Sequence, residues 1–152
     1  MIRIAATQYS LLTNSLEIYL SGCKAKPHCK NCHNPELWSF DIGNPYSSDI
    51  KEDIEEKVST YKNLINSIWI LGGEPLDQPI EELEKILSDI SGLGKELWLW
   101  TRYELDEIPN NIKKYCDYIK CGRYKEEEGS DDYSSLGIKL ASTNQKIYKM
   151  NR

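Results

Sequence analysis

The stretch Ser67-Ile68-Trp69-Ile70-Leu71-Gly72-Gly73-Glu74-Pro75 carries the reading of the fold. A short apolar run with β-forming side chains stops abruptly at two glycines, which reads as a buried strand ending in a turn. Upstream, Ile50, Ile54, Val58, Tyr61 and Ile65 recur every three or four residues between Asp49 and Asn66. That spacing predicts an amphipathic helix with Ser48 or Asp49 at its N-cap. Downstream, Ile80, Leu83, Ile86, Leu87 and Ile90 share one helical face, and Gly92 and Gly94 close that second helix.

The same reading extends outward. Leu16 to Leu20 reads as a strand, ended by Ser21-Gly22 and followed by a loop to about Pro35. Glu96 to Thr101 is a further strand, a short helical stretch covers Asn110 to Tyr115, and Tyr118 to Lys120 is the fourth strand. Arg123 to Ser135, rich in Glu, Asp, Ser and Gly, reads as a flexible acidic loop, with a last short strand near Ile147 and Tyr148. Strands alternating with helices predict an α/β fold with a mostly parallel sheet and right-handed crossovers, in one domain spanning residues 1–152. Ligands of such sheets bind at the carboxyl edge of the strands. The loop after Leu20 and the Gly-Gly turn both follow strands and so fall on that edge.

Composition narrows the function. A formal net charge of −5 with no block of Lys or Arg speaks against a nucleic-acid partner. The N-terminus lacks the apolar core of a signal peptide, and no run approaches the ~18 residues that cross a bilayer. These features exclude a membrane partner and predict a cytoplasmic protein. In that compartment the five cysteines are read as metal or redox groups before disulfides.

Three of them, Cys23, Cys29 and Cys32, share the loop 22–36. Thiolates are soft ligands that suit iron–sulfur clusters and zinc. An electron-transfer [4Fe–4S] cluster takes four cysteines, so three would leave one iron open to a substrate. Zinc competes as a Cys3His site with His33, although neighbours in sequence such as Cys32 and His33 rarely reach one tetrahedral ion together. Cys29-Lys30-Asn31-Cys32-His33 also fits the haem attachment pattern, which generally needs export. The remaining reading is three unligated buried thiols; their place in a polar loop with Lys24, Lys26 and Lys30 speaks against it. Cys116 and Cys121 are read as small buried hydrophobes, and Trp69, Trp98 and Trp100 as core. At the Gly-Gly turn, two glycines let a ligand approach the backbone, and Glu74 offers a carboxylate to a cationic amino group.

Read together, Ser21-Gly22-Cys23, Cys29-Lys30-Asn31-Cys32-His33-Asn34-Pro35-Glu36-Leu37-Trp38 and Leu71-Gly72-Gly73-Glu74-Pro75-Leu76 resemble the radical S-adenosylmethionine (SAM) superfamily. Glu96-Leu97-Trp98-Leu99-Trp100-Thr101 with Tyr103, Leu105-Asp106-Glu107 and Ser142-Thr143-Asn144-Gln145 bring the resemblance closer to the activating proteins of anaerobic (class III) ribonucleotide reductase. The chain departs from that pattern in four places. Five residues, Lys24 to His28, separate the first two cysteines where the family has three. Arg102 stands where a glycine is expected, Cys121 where an acidic residue precedes Gly122, and Thr13-Asn14-Ser15 lacks the family's glycines.

The resemblance implies a small partial (β/α) barrel in which Cys23, Cys29 and Cys32 hold one [4Fe–4S] cluster. SAM would bind the open iron through its amino and carboxylate groups. Gly72, Gly73 and Glu74 would hold the amino group, and the backbone of Asn31, Cys32 and His33 the nucleoside, with His33 beside the adenine. One electron would split SAM into methionine and a 5′-deoxyadenosyl radical, which takes a hydrogen atom from a glycine of the partner reductase. A flavodoxin or ferredoxin is the electron donor expected from the resemblance. Two alternatives stand beside it: a radical SAM enzyme acting on a small molecule, like carboxy-deazaguanine synthases, and a non-enzymatic zinc-binding module.

Overall fold

A computed structural model describes all 152 residues of the chain. Its strands are β1 (Arg3–Ser10), β2 (Ser15–Leu20), β3 (Asn44–Pro45), β4 (Ser67–Gly72), β5 (Glu96–Trp100), β6 (Tyr118–Cys121), β7 (Ser134–Ser135), β8 (Ile138–Lys139) and β9 (Lys146–Lys149). The helices are α1 (Ser48–Thr60), α2 (Ile80–Ser91) and α3 (Asn110–Lys113). Seven strands form one sheet in the order β3-β1-β2-β4-β5-β6-β9, and β7 and β8 make a separate hairpin. The central run β2-β4-β5-β6 is parallel, while β1, β3 and β9 add to it antiparallel. The molecule is thus a mixed α/β fold whose parallel centre matches the sequence expectation.

Register explains the two faces of this sheet. Ile68 lies opposite Leu97, Ile70 opposite Leu99, and Leu99 opposite Ile119, so one apolar row faces the helices. There it meets Ile54 and Val58 of α1, Leu83, Ile86, Leu87 and Ile90 of α2, and Ile112 of α3 in a single cluster. Because side chains alternate along a strand, the residues between them line the other face. Trp69 stacks on Trp98 at 5.2 Å and on Trp100 at 4.9 Å, and Trp98 stacks on Tyr118 at 4.3 Å. Leu140 and Ile147, with Tyr133 and Ile138 beside them, close over the tryptophans. The cysteines left over from the metal motif, Cys116 and Cys121, are buried in the helix-side cluster, as the sequence suggests.

Several boundaries differ from expectation. α1 stops at Thr60 rather than near Asn66: Tyr61 leaves the helical region, and a turn from Tyr61 to Leu64 carries Ile65 into the core without further helix. The N-cap is Ser47, one residue before the expected pair. β1, which lies between the short edge strand β3 and β2, is a full strand that the sequence pattern does not announce. The segment 123–135 contains a helical turn at Glu126–Glu128 and the first strand of the β7–β8 hairpin. No helix is long and apolar enough to cross a membrane.

Candidate functional site

β2 and β4 are neighbours in parallel register, with Leu20 opposite Gly72, so the cysteine loop and the Gly-Gly-Glu-Pro turn leave the sheet side by side. The two motifs are joined backbone to backbone. Gly73 N–H donates to Leu20 O at 2.9 Å, and Glu74 N–H donates to Gly22 O at 2.7 Å. This approach requires glycine: Gly72 has φ +126°, and a Cβ on Gly73 would lie 2.3 Å from Gly22 O and 2.5 Å from Leu37 O. The Gly73 carbonyl accepts no hydrogen bond within the chain and remains available at the edge.

Glu74 is built into this turn. It is only 2% exposed, and its carboxylate accepts from Thr101 Oγ1 at 2.7 Å, Arg102 N at 2.6 Å and Leu76 N at 3.0 Å. Burial pushes its pKa up, opposed by those three donors. The carboxylate expected to meet a ligand's amino group thus faces inward and ties the end of β4 to the end of β5. Arg102, in the expected glycine position, and Tyr103 then converge on Asp77. Arg102 Nη2 lies 2.9 Å from Asp77 Oδ2, and the Tyr103 hydroxyl donates to Asp77 Oδ1 at 2.5 Å. Asp77 also accepts from Lys24 N at 2.7 Å, which anchors the residue after Cys23. Burial alone would raise the Asp77 carboxyl, but Tyr103, the Lys24 N–H and the Arg102 guanidinium hold it below the ordinary aspartate range.

Beyond that anchor the loop is held from outside. No backbone–backbone hydrogen bond involves residues 24–33. His28 stacks on Trp38 at 4.1 Å and donates from Nε2 to Cys23 O at 3.1 Å. The Arg123 guanidinium donates to Pro27 O, and Lys30 pairs with Glu126 at 3.0 Å. His33, placed by the sequence reading beside an adenine, is exposed; the histidine seated in an aromatic stack is His28. Asn31 turns the chain between Cys29 and Cys32 with φ +60°.

Cys23, Cys29 and Cys32 are free and partly accessible. Their thiols are not drawn into a common cradle: no group of three or more His, Cys, Asp or Glu side chains stands ready around a metal. A loop without internal backbone bonds is free to be shaped by a metal group, since metal-binding energy is also folding energy. The donor chemistry fits a thiolate-ligated iron–sulfur cluster: three soft ligands on one strand-edge loop, with no fourth cysteine in that loop. Around them, three buried polar atoms lack a hydrogen-bond partner, Trp100 Nε1, Arg102 Nε and Asn144 Oδ1; the first two lie at or just after the carboxyl end of β5 and the third in the segment packed on the turn after β6.

That last segment is Ser142-Thr143-Asn144-Gln145, for which the sequence reading found no role. Gln145 accepts from Ala141 N and Ser142 N through Oε1 and donates from Nε2 to Gly122 O at 3.2 Å. Asn144 donates to Arg123 O at 2.8 Å. The pair fastens the turn after β6, and through Arg123 the tip of the cysteine loop.

The profile of the 4Fe–4S single cluster domain family matches residues 14–148. The chain is 24% identical over 140 residues to the anaerobic ribonucleoside-triphosphate reductase-activating protein of Vibrio cholerae, covering 87% of this chain and 85% of that protein. The like-named protein of Pasteurella multocida is 25% identical over 145 residues, 89% of this chain and 87% of the relative. That of Escherichia coli is 29% identical over 94 residues, 60% of each. No solved structure matches the chain.

Proposed function

Since the chain belongs to the 4Fe–4S single cluster domain family, we propose that it is a cytoplasmic radical SAM activase for an anaerobic ribonucleotide reductase. Cys23, Cys29 and Cys32 are the ligands of its cluster, on the edge of a sheet that curls as a small partial barrel. The observation that carries this reading is the interlock of the two motifs, Glu74 N–H on Gly22 O at 2.7 Å beside Gly73 N–H on Leu20 O. It fixes the Gly-Gly turn next to the thiolate loop.

Held by Cys23, Cys29 and Cys32, a cluster would supply one low-potential electron, received from a flavodoxin or ferredoxin, for the reductive cleavage of SAM into methionine and a 5′-deoxyadenosyl radical. The chain's own residues bind and orient. The free Gly73 carbonyl would accept from the methionyl ammonium, and Glu74, through its bonds to Thr101 and Arg102, keeps that turn in place at the edge. The Asn31–His33 backbone meets the nucleoside. Transfer of a glycine Cα hydrogen of the reductase to the 5′-carbon would give 5′-deoxyadenosine and leave the unpaired electron on that glycine, flanked by an amide nitrogen and a carbonyl.

A polypeptide target fits the shape of the molecule. The inner sheet face is filled by Leu140, Ile147 and the tryptophans, and the cavity of about 270 Å³ lined by Tyr9, Leu16, Tyr61 and Ile65 belongs to the opposite end of the sheet. The test is anaerobic reconstitution followed by EPR of the reduced protein, then mixing with SAM and the reductase. The expected result is a cluster signal altered by SAM and a glycyl doublet on the partner. A zinc-loaded, EPR-silent protein that consumes no SAM refutes the proposal.

A further inference from the structure

Lys120 is a partly buried cation at this edge that forms no ion pair. It lies directly opposite Trp100 across the β5–β6 pairing, on the tryptophan-lined face. Its ammonium sits 6.0 Å from the centre of the Trp100 ring and donates only to the Gly122 carbonyl, at 3.1 Å. No carboxylate pairs with it. Burial lowers its pKa, and the groups that oppose this across space include Glu74, Cys121 and Cys29, so its charge is felt by both motifs. Beside it the indole Nε1–H of Trp100 is buried without an acceptor.

Two donors on adjacent strands, one of them cationic, thus stand partly desolvated with acceptor capacity missing between them. Unsatisfied buried donors are costly, and a charged one more so. The group that answers both is a carboxylate, with two acceptor oxygens and one negative charge. We propose that Lys120, assisted by the Trp100 indole N–H, is the binding site for the α-carboxylate of SAM's methionyl group. This rests on the SAM-dependent reading above. It also assigns a purpose to a lysine inside a strand face otherwise filled with aromatic rings.

The test uses the full chain with its cluster reconstituted, and measures binding of SAM and of decarboxylated SAM by anaerobic equilibrium dialysis. Decarboxylated SAM keeps the sulfonium, amine and adenosine and lacks only the carboxylate. Lys120→Met is expected to weaken SAM binding at least tenfold and to leave decarboxylated SAM unchanged. Lys120→Arg is expected to stay within threefold of the unsubstituted protein, and Trp100→Phe to show a smaller loss confined to SAM. Equal weakening of both ligands by Lys120→Met, or weakening of neither, overturns the proposal. Loss of iron from Lys120→Met overturns it too, because the lysine then serves the cluster. If the unsubstituted, iron-loaded protein binds neither ligand, the SAM-dependent function itself fails, which is a separate result.

Discussion

Replacing Glu74 tests whether the Gly-Gly turn is held from within. Its carboxylate is 2% exposed and accepts from Thr101, Arg102 and Leu76 at 2.7, 2.6 and 3.0 Å. Glu74→Ala strands one buried donor, the Thr101 hydroxyl, and two part-buried ones, the Arg102 and Leu76 N–H groups, each costing about 1–3 kcal/mol when left unsatisfied. Relief from burying a carboxylate, whose pKa is raised by that burial, returns part of this. The net expectation is a loss of about 3–4 kcal/mol, a large part of the roughly 5–15 kcal/mol that a domain has. At about 2–4 °C per kcal/mol for a chain of this size, the melting temperature falls by about 6–16 °C. Glu74→Gln keeps the shape and one accepting oxygen but sets an amide N–H₂ against a donor, so it should lose about 1–2 kcal/mol. Urea unfolding of the cluster-free protein, followed by tryptophan fluorescence, measures both. A Glu74→Ala protein within 1 kcal/mol of the unsubstituted chain would refute the staple.

Gly73→Ala should separate the motifs. Its Cβ would stand 2.3 Å from Gly22 O, a backbone atom that cannot swing aside, so a loss of about 2–4 kcal/mol and poorer iron retention on reconstitution are expected. Unfolding curves and iron analysis check this. In the cluster-free protein, iodoacetamide at pH 8 should label Cys23, Cys29 and Cys32 and spare the other two. Burial pushes Cys116 and Cys121 up to about 12. Their thiolate fraction at pH 8 is therefore on the order of one part in ten thousand, and mass spectrometry would show three adducts. These raised folded-state values contribute stability that is complete below the ordinary thiol value of 9.0 and is lost as pH rises towards about 12. Equilibrium unfolding at stepped alkaline pH should show that loss, and Cys116→Ala should shrink it.

What the sequence reveals is what repeats locally. Ser67 to Leu71 reads as a strand because its apolar run ends at Gly72, and α2 reads as a helix because Leu83, Ile86, Leu87 and Ile90 return with helical period. The neighbourhood of the two motifs follows from strand order alone. The rest depends on contacts between distant residues. β1 is covered on its outer side by the two-residue β3 alone, and its buried residues are confined to Ile4 and the flanking Ile2, so no alternation marks Thr7 to Ser10. Glu74 faces inward because Thr101 and Arg102 turn back on it from 27 and 28 residues away. His28, not His33, finds the aromatic partner because Trp38 folds over the loop, and nothing in the local pattern separates the two histidines. Asn144 and Gln145 act on a turn more than twenty residues earlier, a relation spacing cannot express.

Two departures from the pattern of the resembling family meet at one residue. The longer spacing between Cys23 and Cys29 adds chain to a loop that makes no backbone hydrogen bonds of its own between residues 24 and 33. A longer loop costs more entropy to close and leaves its first ligand less fixed. Arg102, where the family has glycine, brings a guanidinium onto Asp77, whose Oδ2 receives both Arg102 Nη2 at 2.9 Å and Lys24 N at 2.7 Å. The first residue of the enlarged loop is thereby tied to the end of β5, through a carboxylate held ionised by the same arginine and by Tyr103. A glycine at position 102 would leave Asp77 buried with only Tyr103 and Lys24 as donors. The arginine is thus the counterpart of the enlarged loop: it fixes the start of the segment that the longer spacing frees.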